Sequence, residues 1–357
     1  MTAPNPDFWR GKRVFLTGHT GFKGAWASLL LARLGAEVTG YALAPEGTES
    51  LFALAGCDKG IDSRIGDIRD RAGLSAALTE ARPDIVLHMA AQALVRRSYA
   101  EPVETWQTNV DGTLHLLEAL KPLGHPPVVL VITSDKVYRN DETGRPFIEE
   151  DPLGGHDPYS ASKAACEILT ASWRDCFAAD HGIRLASARA GNVIGGGDFS
   201  QDRIVPDIWR AVRDDQELQL RNPGATRPWQ HVLDCLNGYL LYIEALAGEG
   251  GVPLSLNFGP ADSKGRTVRE IAEDILSAIR PGSDWAQAAD AGPREMAKLT
   301  LDTSRARALL GWTDHLAGAR LSAWTADWYR ACAERGDMRA QTLSQIDSFL
   351  KNAGQSQ

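Results

Sequence analysis

Two residues spaced four apart, Tyr159 and Lys163, have the types and spacing needed for acid–base chemistry. They lie near the start of a predicted helix, and this spacing places both side chains on one helix face. A lysine ammonium beside a tyrosine, with a further positive charge nearby, stabilises the phenolate and lowers the tyrosine pKa below its usual value of about 10. Ser134 ends a predicted strand, at the edge where open parallel sheets bind ligands. These three residues predict a site that moves a proton to or from a hydroxyl group.

A glycine-rich turn near the N-terminus is the second chemical signature. Residues 17–24 read TGHTGFKG and place Gly18, Gly21 and Gly24 between a predicted strand and a predicted helix. Glycines let a phosphate approach the backbone closely, and the start of the helix offers free N–H groups to a pyrophosphate. The turn therefore predicts a dinucleotide-binding site.

The choice between NAD and NADP depends on the end of the second strand. Residues 41–45 read YALAP, so no acid stands where one would bind the adenosine ribose. The sequence also has no arginine there that would clearly grip a 2′-phosphate, and NAD is favoured. Arg64 and Asp67 are candidates for contacts with the adenine.

An alternation of apolar runs and helical patterns must position these residues. The predicted strands are 13–18, 36–43, 84–91, 127–134, 183–190 and 255–260. The predicted helices are 25–34, 104–120, 158–179, 204–214, 232–246, 267–279 and 316–332. Such alternation is typical of a Rossmann-type, doubly wound parallel sheet in an α/β protein.

Composition and charge exclude several functional classes. The chain has 357 residues, a formal net charge of −8 and a pI near 5.5, which disfavours nucleic acid as a partner. Its five cysteines lack the spacing of a disulfide framework or a zinc site, so no metal is expected. No apolar run approaches the length of a membrane span, and residues 1–10 do not resemble a signal peptide. We expect a cytoplasmic protein without a membrane segment.

The order of the motifs resembles that of the extended short-chain dehydrogenases/reductases over nearly the whole chain. The matching stretches are TGHTGFKG at 17–24, GDIRD at 66–70, HMAAQ at 88–92, TNVDGT at 108–113, YSASK at 159–163 and RAGNVIGGGD at 189–198. The resemblance implies that NAD is the cofactor. The residues that it implies for cofactor binding are Gly18, His19, Gly21, Phe22, Lys23, Gly24, Asp67, Ile68, Ala90, Ala91, Gln92, Asn109, Thr133, Tyr159 and Lys163.

Asp135 and Lys136 separate the activities known in this family. The nucleotide-sugar 4,6-dehydratases resemble this chain in having an Asp followed by Glu or Lys, whereas the 4-epimerases usually have small or uncharged residues there. The resemblance therefore implies a catalytic set of Ser134, Asp135, Lys136, Tyr159 and Lys163. In the implied lyase reaction, the sugar is oxidised at C4, loses water across C5 and C6, and receives the hydride back at C6.

Among the dehydratases, the segments TGHTGFKG, TSDKVYRN and RPWQHVLD most resemble those of members that act on CDP-glucose. This likeness implies CDP-glucose as the substrate and CDP-4-keto-6-deoxyglucose as the product. A dTDP-, UDP- or GDP-sugar dehydratase, a 4-epimerase and, more distantly, a non-catalytic NAD-binding sensor are the alternatives. The substrate-binding candidates are Gln92, Arg96, Ser98, Ser134, Asn192, Arg203, Arg227 and His231.

The resemblance also implies how the chain is divided and assembled. Residues 1–190 should form the NAD-binding Rossmann lobe, with 232–257 returning to it. Residues 191–231 and 258–357 should form a smaller C-terminal α/β lobe that binds the nucleotide sugar. Family members usually pair through two long helices, here the predicted 104–120 and 158–179, so we expect a homodimer.

Overall fold

The apolar runs of the sequence form strands, and the amphipathic segments between them form helices. A computed structural model describes residues 2–354, apart from 46, 48, 263–264 and 290–297. The strands are β1 (Arg13–Thr17), β2 (Glu37–Ala42), β3 (Asp62–Ile65), β4 (Ile85–His88), β5 (Val128–Ile132), β6 (Arg184–Ala190), β7 (Val193–Ile194), β8 (Leu218–Leu220), β9 (Thr226–Arg227), β10 (Gln230–His231), β11 (Ser255–Phe258), β12 (Arg266–Thr267) and β13 (Trp285–Gln287).

Helices flank these strands, and two of the helices continue into π-helical turns. The helices are α1 (Pro6–Trp9), α2 (Phe22–Arg33), α3 (Leu51–Leu54), α4 (Arg71–Ala81), α5 (Val95–Ala100), α6 (Pro102–Trp106), α7 (Gly112–Leu120), α8 (Pro158–Trp173), α9 (Ile204–Arg213), α10 (Val232–Ala247), α11 (Val268–Ile279), α12 (Ser304–Leu310), α13 (Ala319–Ala333) and α14 (Met338–Gly354). The π-helical turn Gln107–Asp111 joins α6 to α7, and Arg174–Ala178 extends α8.

Seven strands form one parallel sheet in the order β11-β6-β5-β4-β1-β2-β3. The order reverses between β1 and β4, and open sheets of this kind bind ligands at the carboxyl ends of the strands beside such a reversal. The predicted Rossmann-type, doubly wound α/β fold is confirmed.

Helices cover both faces of the sheet, and successive strand residues point to opposite faces, so both sets of side chains are buried. Val14 and Leu16 belong to the core that includes α2 and α10, whereas Phe15 between them belongs to the core that includes α4 and α7. The two helical layers cover the faces of the sheet but not the carboxyl ends of its strands, where ligands bind in such folds.

The remaining strands form three short pairs outside the main sheet, β7 with β10, β8 with β13 and β9 with β12. Helix α11 packs against α9 and α13 beside them. The last helix, α14, contacts α13 and also α2 and α3, where Arg33 Nε lies 2.6 Å from Asp347 Oδ1. The predicted division into lobes stays a prediction, and α14 packs against helices of both predicted lobes.

None of the helices that the structure describes is long and apolar enough to cross a membrane.

Candidate active site

Four of the predicted catalytic residues, Ser134, Asp135, Lys136 and Tyr159, line one cleft at the carboxyl edge of the sheet. The cleft measures about 1520 Å³, including its mouth open to solvent. It continues along α9 and β8, so its walls come from both predicted lobes. Because the cleft runs from the tip of β5 to the end of β8, it can hold an extended ligand.

The first three of these residues are held by a short 3₁₀ turn that follows β5. Ser134 caps the turn: its Oγ accepts a hydrogen bond from the backbone N–H of Lys136 at 3.2 Å. The same Oγ lies 3.1 Å from Asp135 Oδ1, to which it donates. The Asp135 and Lys136 side chains are not solvated surface charges, because only 2% and 9% of these residues is exposed.

The carboxyl group of Asp135 is suited to holding a proton. Burial raises its pKa, and the charges of Lys136 and Arg227 only partly oppose this shift. Asp135 Oδ2 has no hydrogen-bond partner among the residues described, although it is buried. A buried polar oxygen without a partner is rare, and it marks a position where a ligand group can bind.

Tyr159 enters the cleft from the first turn of α8. Its backbone N–H donates to Ser98 Oγ at 3.1 Å, which fixes the start of the helix. Lys163, one turn later, donates from Nζ to the carbonyl of Ile132 at the end of β5, at 3.1 Å. The helix therefore brings both side chains to the tip of the strand that precedes Ser134.

Burial dominates the electrostatics of this pair. It raises the pKa of Tyr159 to about 12, although a hydrogen bond with Ser134 and the charge of Arg203 oppose the shift. Burial also lowers the pKa of Lys163. The expected lowering of the tyrosine pKa depends on the positive charge of the nicotinamide as well as on Lys163, so it stays a prediction.

A buried ion pair anchors α8 below these residues. Arg189 Nη2 on β6 donates to Glu167 Oε2 at 2.7 Å, and Ser187 Oγ donates to the same oxygen at 2.9 Å. The other Glu167 oxygen accepts from Thr133 Oγ1. Arg189 Nη1 also donates to the hydroxyl of Tyr138 at 2.9 Å. This network, which the sequence did not reveal, fixes the helix to the tips of β5 and β6.

The glycine-rich turn fits the pyrophosphate of a dinucleotide. Gly18 has a φ of +78°, and a Cβ there would lie 2.8 Å from the backbone nitrogen of Ala90. A Cβ on Gly24 would lie 2.0 Å from the carbonyl oxygen of Gly18, so no other residue fits either position. Gly21 precedes α2 without a side-chain cap, which leaves the first N–H groups of the helix for an anion. Lys23 lines the cleft.

Several predicted cofactor residues have side chains that are used within the protein. His19 Nε2 bonds Ser63 Oγ at 2.8 Å, and burial lowers the pKa of its imidazole to about 4. Asn109 Nδ2 donates to Gln92 O and to Ser162 Oγ, at 3.1 and 2.8 Å, and thereby links the loop after β4 to α8. The roles of these residues in cofactor binding stay predictions.

The other predicted cofactor residues lie around the turn and the strand tips. Asp67 accepts a hydrogen bond from Arg69 Nη2 at 2.6 Å. Arg64 forms ion pairs with Asp62 and Glu80, so both predicted adenine contacts also have partners within the protein. The remaining predicted positions are buried or partly buried: Phe22 in α2, Ile68 in the core beside α7, Ala90 and Ala91 after β4, and Thr133 after β5.

The predicted substrate-binding residues fall into two groups. Arg96, Asn192, Arg203 and Arg227 line the cleft with Ser134. The structure does not bring the others into its lining.

Gln92, Ser98 and His231 have hydrogen-bond partners within the protein, and their predicted contacts with the substrate stay predictions. Gln92 Nε2 donates to Thr105 Oγ1 at 2.8 Å, and Ser98 Oγ supports Tyr159. His231 is fully buried, and its Nδ1 accepts from the N–H of Leu233 at 3.2 Å as the cap of α10.

Sequence reasoning missed Asp207, Arg221 and Asn222, which line the cleft where it passes α9 and the end of β8. The sequence around these residues does not indicate a binding site, because charged and polar residues at helix starts and after short strands occur on most protein surfaces. Among the described residues, no group of three His, Cys, Asp or Glu side chains suits a metal ion.

Comparisons with known proteins agree with this geometry. The sequence model of the family described as GDP-mannose 4,6 dehydratase matches residues 15–321. The CDP-glucose 4,6-dehydratase of Salmonella typhimurium is 43% identical over 350 residues, which cover 96% of this chain and 98% of that protein. The dTDP-glucose 4,6-dehydratase of Streptomyces niveus is 30% identical over 256 residues, covering 69% and 70%.

A solved structure extends the comparison to the whole fold. The UDP-glucose 4-epimerase of Thermus thermophilus, in complex with NAD, has a TM-score of 0.77 at 27% identity and covers 89% of this chain and 99% of that one. The resemblance seen in the motifs is thereby confirmed. With the family model matched over most of its length, the chain belongs to the GDP-mannose 4,6-dehydratase family, among the extended short-chain dehydrogenases/reductases.

Proposed function

We propose that the protein converts CDP-D-glucose to CDP-4-keto-6-deoxy-D-glucose and water. The observation that carries this proposal is the burial of Asp135 and Lys136 side by side in the cleft that Ser134 and Tyr159 also line. Elimination of water needs a base at C5 and an acid at the C6 hydroxyl, whereas epimerisation at C4 needs neither. An acid and an amine beside the tyrosine therefore favour a dehydratase.

The residues divide the proton transfers among them. Tyr159, as the phenolate that a positively charged nicotinamide would favour, takes the proton of the C4 hydroxyl as that carbon is oxidised. The resulting ketone acidifies the C5–H bond, and Lys136 removes this proton as the general base. Asp135, whose pKa is raised by burial, gives its proton to the departing C6 hydroxyl, which leaves as water. Lys136 then returns its proton to C5.

NAD is the cofactor that this proposal requires. The turn formed by Gly18, Gly21 and Gly24 would hold its pyrophosphate, with the N-terminus of α2 facing the phosphates. The chemistry that NAD supplies when bound is a reversible hydride exchange, in which the hydride leaves C4 and is returned at C6.

CDP-glucose is the proposed substrate because the relative from Salmonella typhimurium carries that activity in its name and is 43% identical over nearly the full length. A panel of CDP-, dTDP-, UDP- and GDP-glucose tests the assignment, with 4-keto products detected by their absorbance in base. We expect turnover to be fastest with CDP-glucose. Turnover only with another nucleotide sugar would contradict the proposed substrate.

We also propose a homodimer formed by the helices that carry the site. Large apolar side chains are exposed on α6, α7 and α8: Val103, Trp106, Leu114 and Ile168 are 38–68% exposed. Such a patch on helices that also pack against the sheet is typical of a protein–protein interface. A four-helix interface from two protomers would bury it.

A further inference from the structure

The cleft extends beyond the reacting residues, and its far end must hold the base of a nucleotide sugar. Such a ligand is linear, with the pyrophosphate and ribose between the sugar and the base. The charge of Arg203 acts on Tyr159 and that of Arg227 acts on Asp135, so both arginines lie close to the proposed sugar site. A sugar beside Tyr159 and a pyrophosphate at these arginines leave the base against α9 and the end of β8.

The wall at this end carries one carboxylate and one guanidinium. Asp207, in the first turn of α9, and Arg221, directly after β8, both line the cleft. Asp207 Oδ1 accepts from Arg210 Nη2 at 2.6 Å. Asp207 Oδ2 lies 3.8 Å from Arg221 Nη2, which is longer than a hydrogen bond. Asp202 pairs with the other amino group of Arg221 and holds the guanidinium in place.

These two side chains match the hydrogen-bonding edge of cytosine. Cytosine donates from its N4 amine and accepts at N3 and O2, and carboxylates are suited to accept from that amine. A guanidinium only donates, so it complements the two acceptors. Uracil and thymine carry a carbonyl in place of the amine, which would set one acceptor against another.

We propose that Asp207 and Arg221 read the base and select cytosine over uracil and thymine. This inference rests on the proposed function for the use of a nucleotide sugar. It makes Asp207 the acceptor for the N4 amine, and Arg221 the donor to the acceptor edge of the ring. Arg210 and Asp202 act as positioning residues, each holding one of the two side chains.

Binding of CDP and UDP, measured by isothermal titration calorimetry, tests the inference without catalysis. We expect the wild-type protein to bind CDP more tightly than UDP, by about tenfold or more. In Asp207→Asn the side-chain amide can donate to the uracil carbonyl, so the CDP:UDP affinity ratio should fall about tenfold. Asp214→Asn, an exposed acid that pairs with Arg213 at the other end of α9, is the matched control and should keep the wild-type ratio.

The outcomes separate this inference from the proposed function. An unchanged CDP:UDP ratio in Asp207→Asn, or no preference in the wild type, would overturn the inference even if CDP-glucose is dehydrated. A strong CDP preference that is lost in Asp207→Asn would support it even if CDP-glucose is not turned over, and only the proposed reaction would then be contradicted. Thermal melting of both variants verifies that the fold is retained.

Discussion

In the proposed reaction, Asp135 and Lys136 distinguish a dehydratase site from a simple redox site. They follow Ser134 in one 3₁₀ turn, so that turn would present an acid, a base and a hydroxyl group to the same substrate. Their burial matters as much as their identity, because it favours a protonated Asp135.

Replacing Lys136 with Met should remove the base and leave the cofactor turn intact. We expect turnover of CDP-glucose to fall by about 10²- to 10⁴-fold, the usual contribution of a positioned general base, with unchanged affinity for NAD. Lys351→Met, at an exposed position in the last turn of α14, is the matched control. Wild-type turnover in Lys136→Met would show that another group removes the C5 proton.

The pH dependence of Tyr159 should change with the cofactor. Its pKa of about 12 means that the side chain is a phenol at neutral pH, and the phenolate forms only as the pH rises toward that value. The positive charge of the oxidised nicotinamide should favour the phenolate and lower this pKa.

Ultraviolet difference spectra between the wild type and Tyr159→Phe measure this effect. Without NAD⁺, we expect no phenolate signal from Tyr159 below about pH 10, in keeping with the pKa of about 12. Saturating NAD⁺ should move the onset to lower pH. An onset that is identical with and without NAD⁺ would contradict the electrostatic account.

At this scale the sequence predicted the cleft-lining residues better than it predicted the roles of their polar neighbours. Tyr159 and Ser134 were recognisable because a fixed spacing and a strand end both constrain them. The internal partners of Gln92 and His231 were not, because a polar side chain in a motif can contact a ligand, the scaffold or both.

Between elements, the ion pair of Glu167 and Arg189 determines where α8 sits on the sheet. Arg189→Ala would leave the Glu167 carboxylate buried without its partner, and such a change typically lowers the free energy of unfolding by about 3–5 kcal/mol. Removing both charges in Arg189→Met/Glu167→Met should restore part of that loss. Urea denaturation of the wild type, Arg189→Ala and the double variant measures these free energies of unfolding.

A surface ion pair provides the comparison for this prediction. Arg330→Ala breaks the exposed pair with Asp327 in α13, and its effect should not exceed about 1 kcal/mol. If Arg330→Ala and Arg189→Ala lower the free energy of unfolding equally, the buried network does not anchor α8.

The sequence predicted the strongly apolar elements and missed the weak ones. Strands β1, β4 and β5 are continuous apolar runs buried on both faces, so their pattern was clear. The edge strand β3 (Asp62–Ile65) has no buried residue, and the packing of α14 on α2 depends on contacts between distant parts of the chain. Neither leaves a local signal that reasoning from periodicity can detect.

For the whole molecule, the proposed dimer depends on the exposed apolar side chains of α6 and α8. Ile168→Glu should place a charge in the centre of the interface and yield monomers, whereas Leu309→Glu, on the exposed surface of α12, should leave the assembly unchanged. Light scattering coupled to size-exclusion chromatography distinguishes the two states. A wild-type monomer, or an Ile168→Glu variant with unchanged mass, would contradict the proposed interface.

In the proposed reaction, the cleft oxidises and dehydrates a single sugar without net redox change. Mass spectrometry of the product formed from CDP-glucose deuterated at C4 distinguishes this reaction from a simple oxidation. We predict a product that is lighter than the substrate by one water and carries the deuterium at C6. A product of unchanged mass, or one from which the deuterium has been lost to the cofactor, would contradict the account.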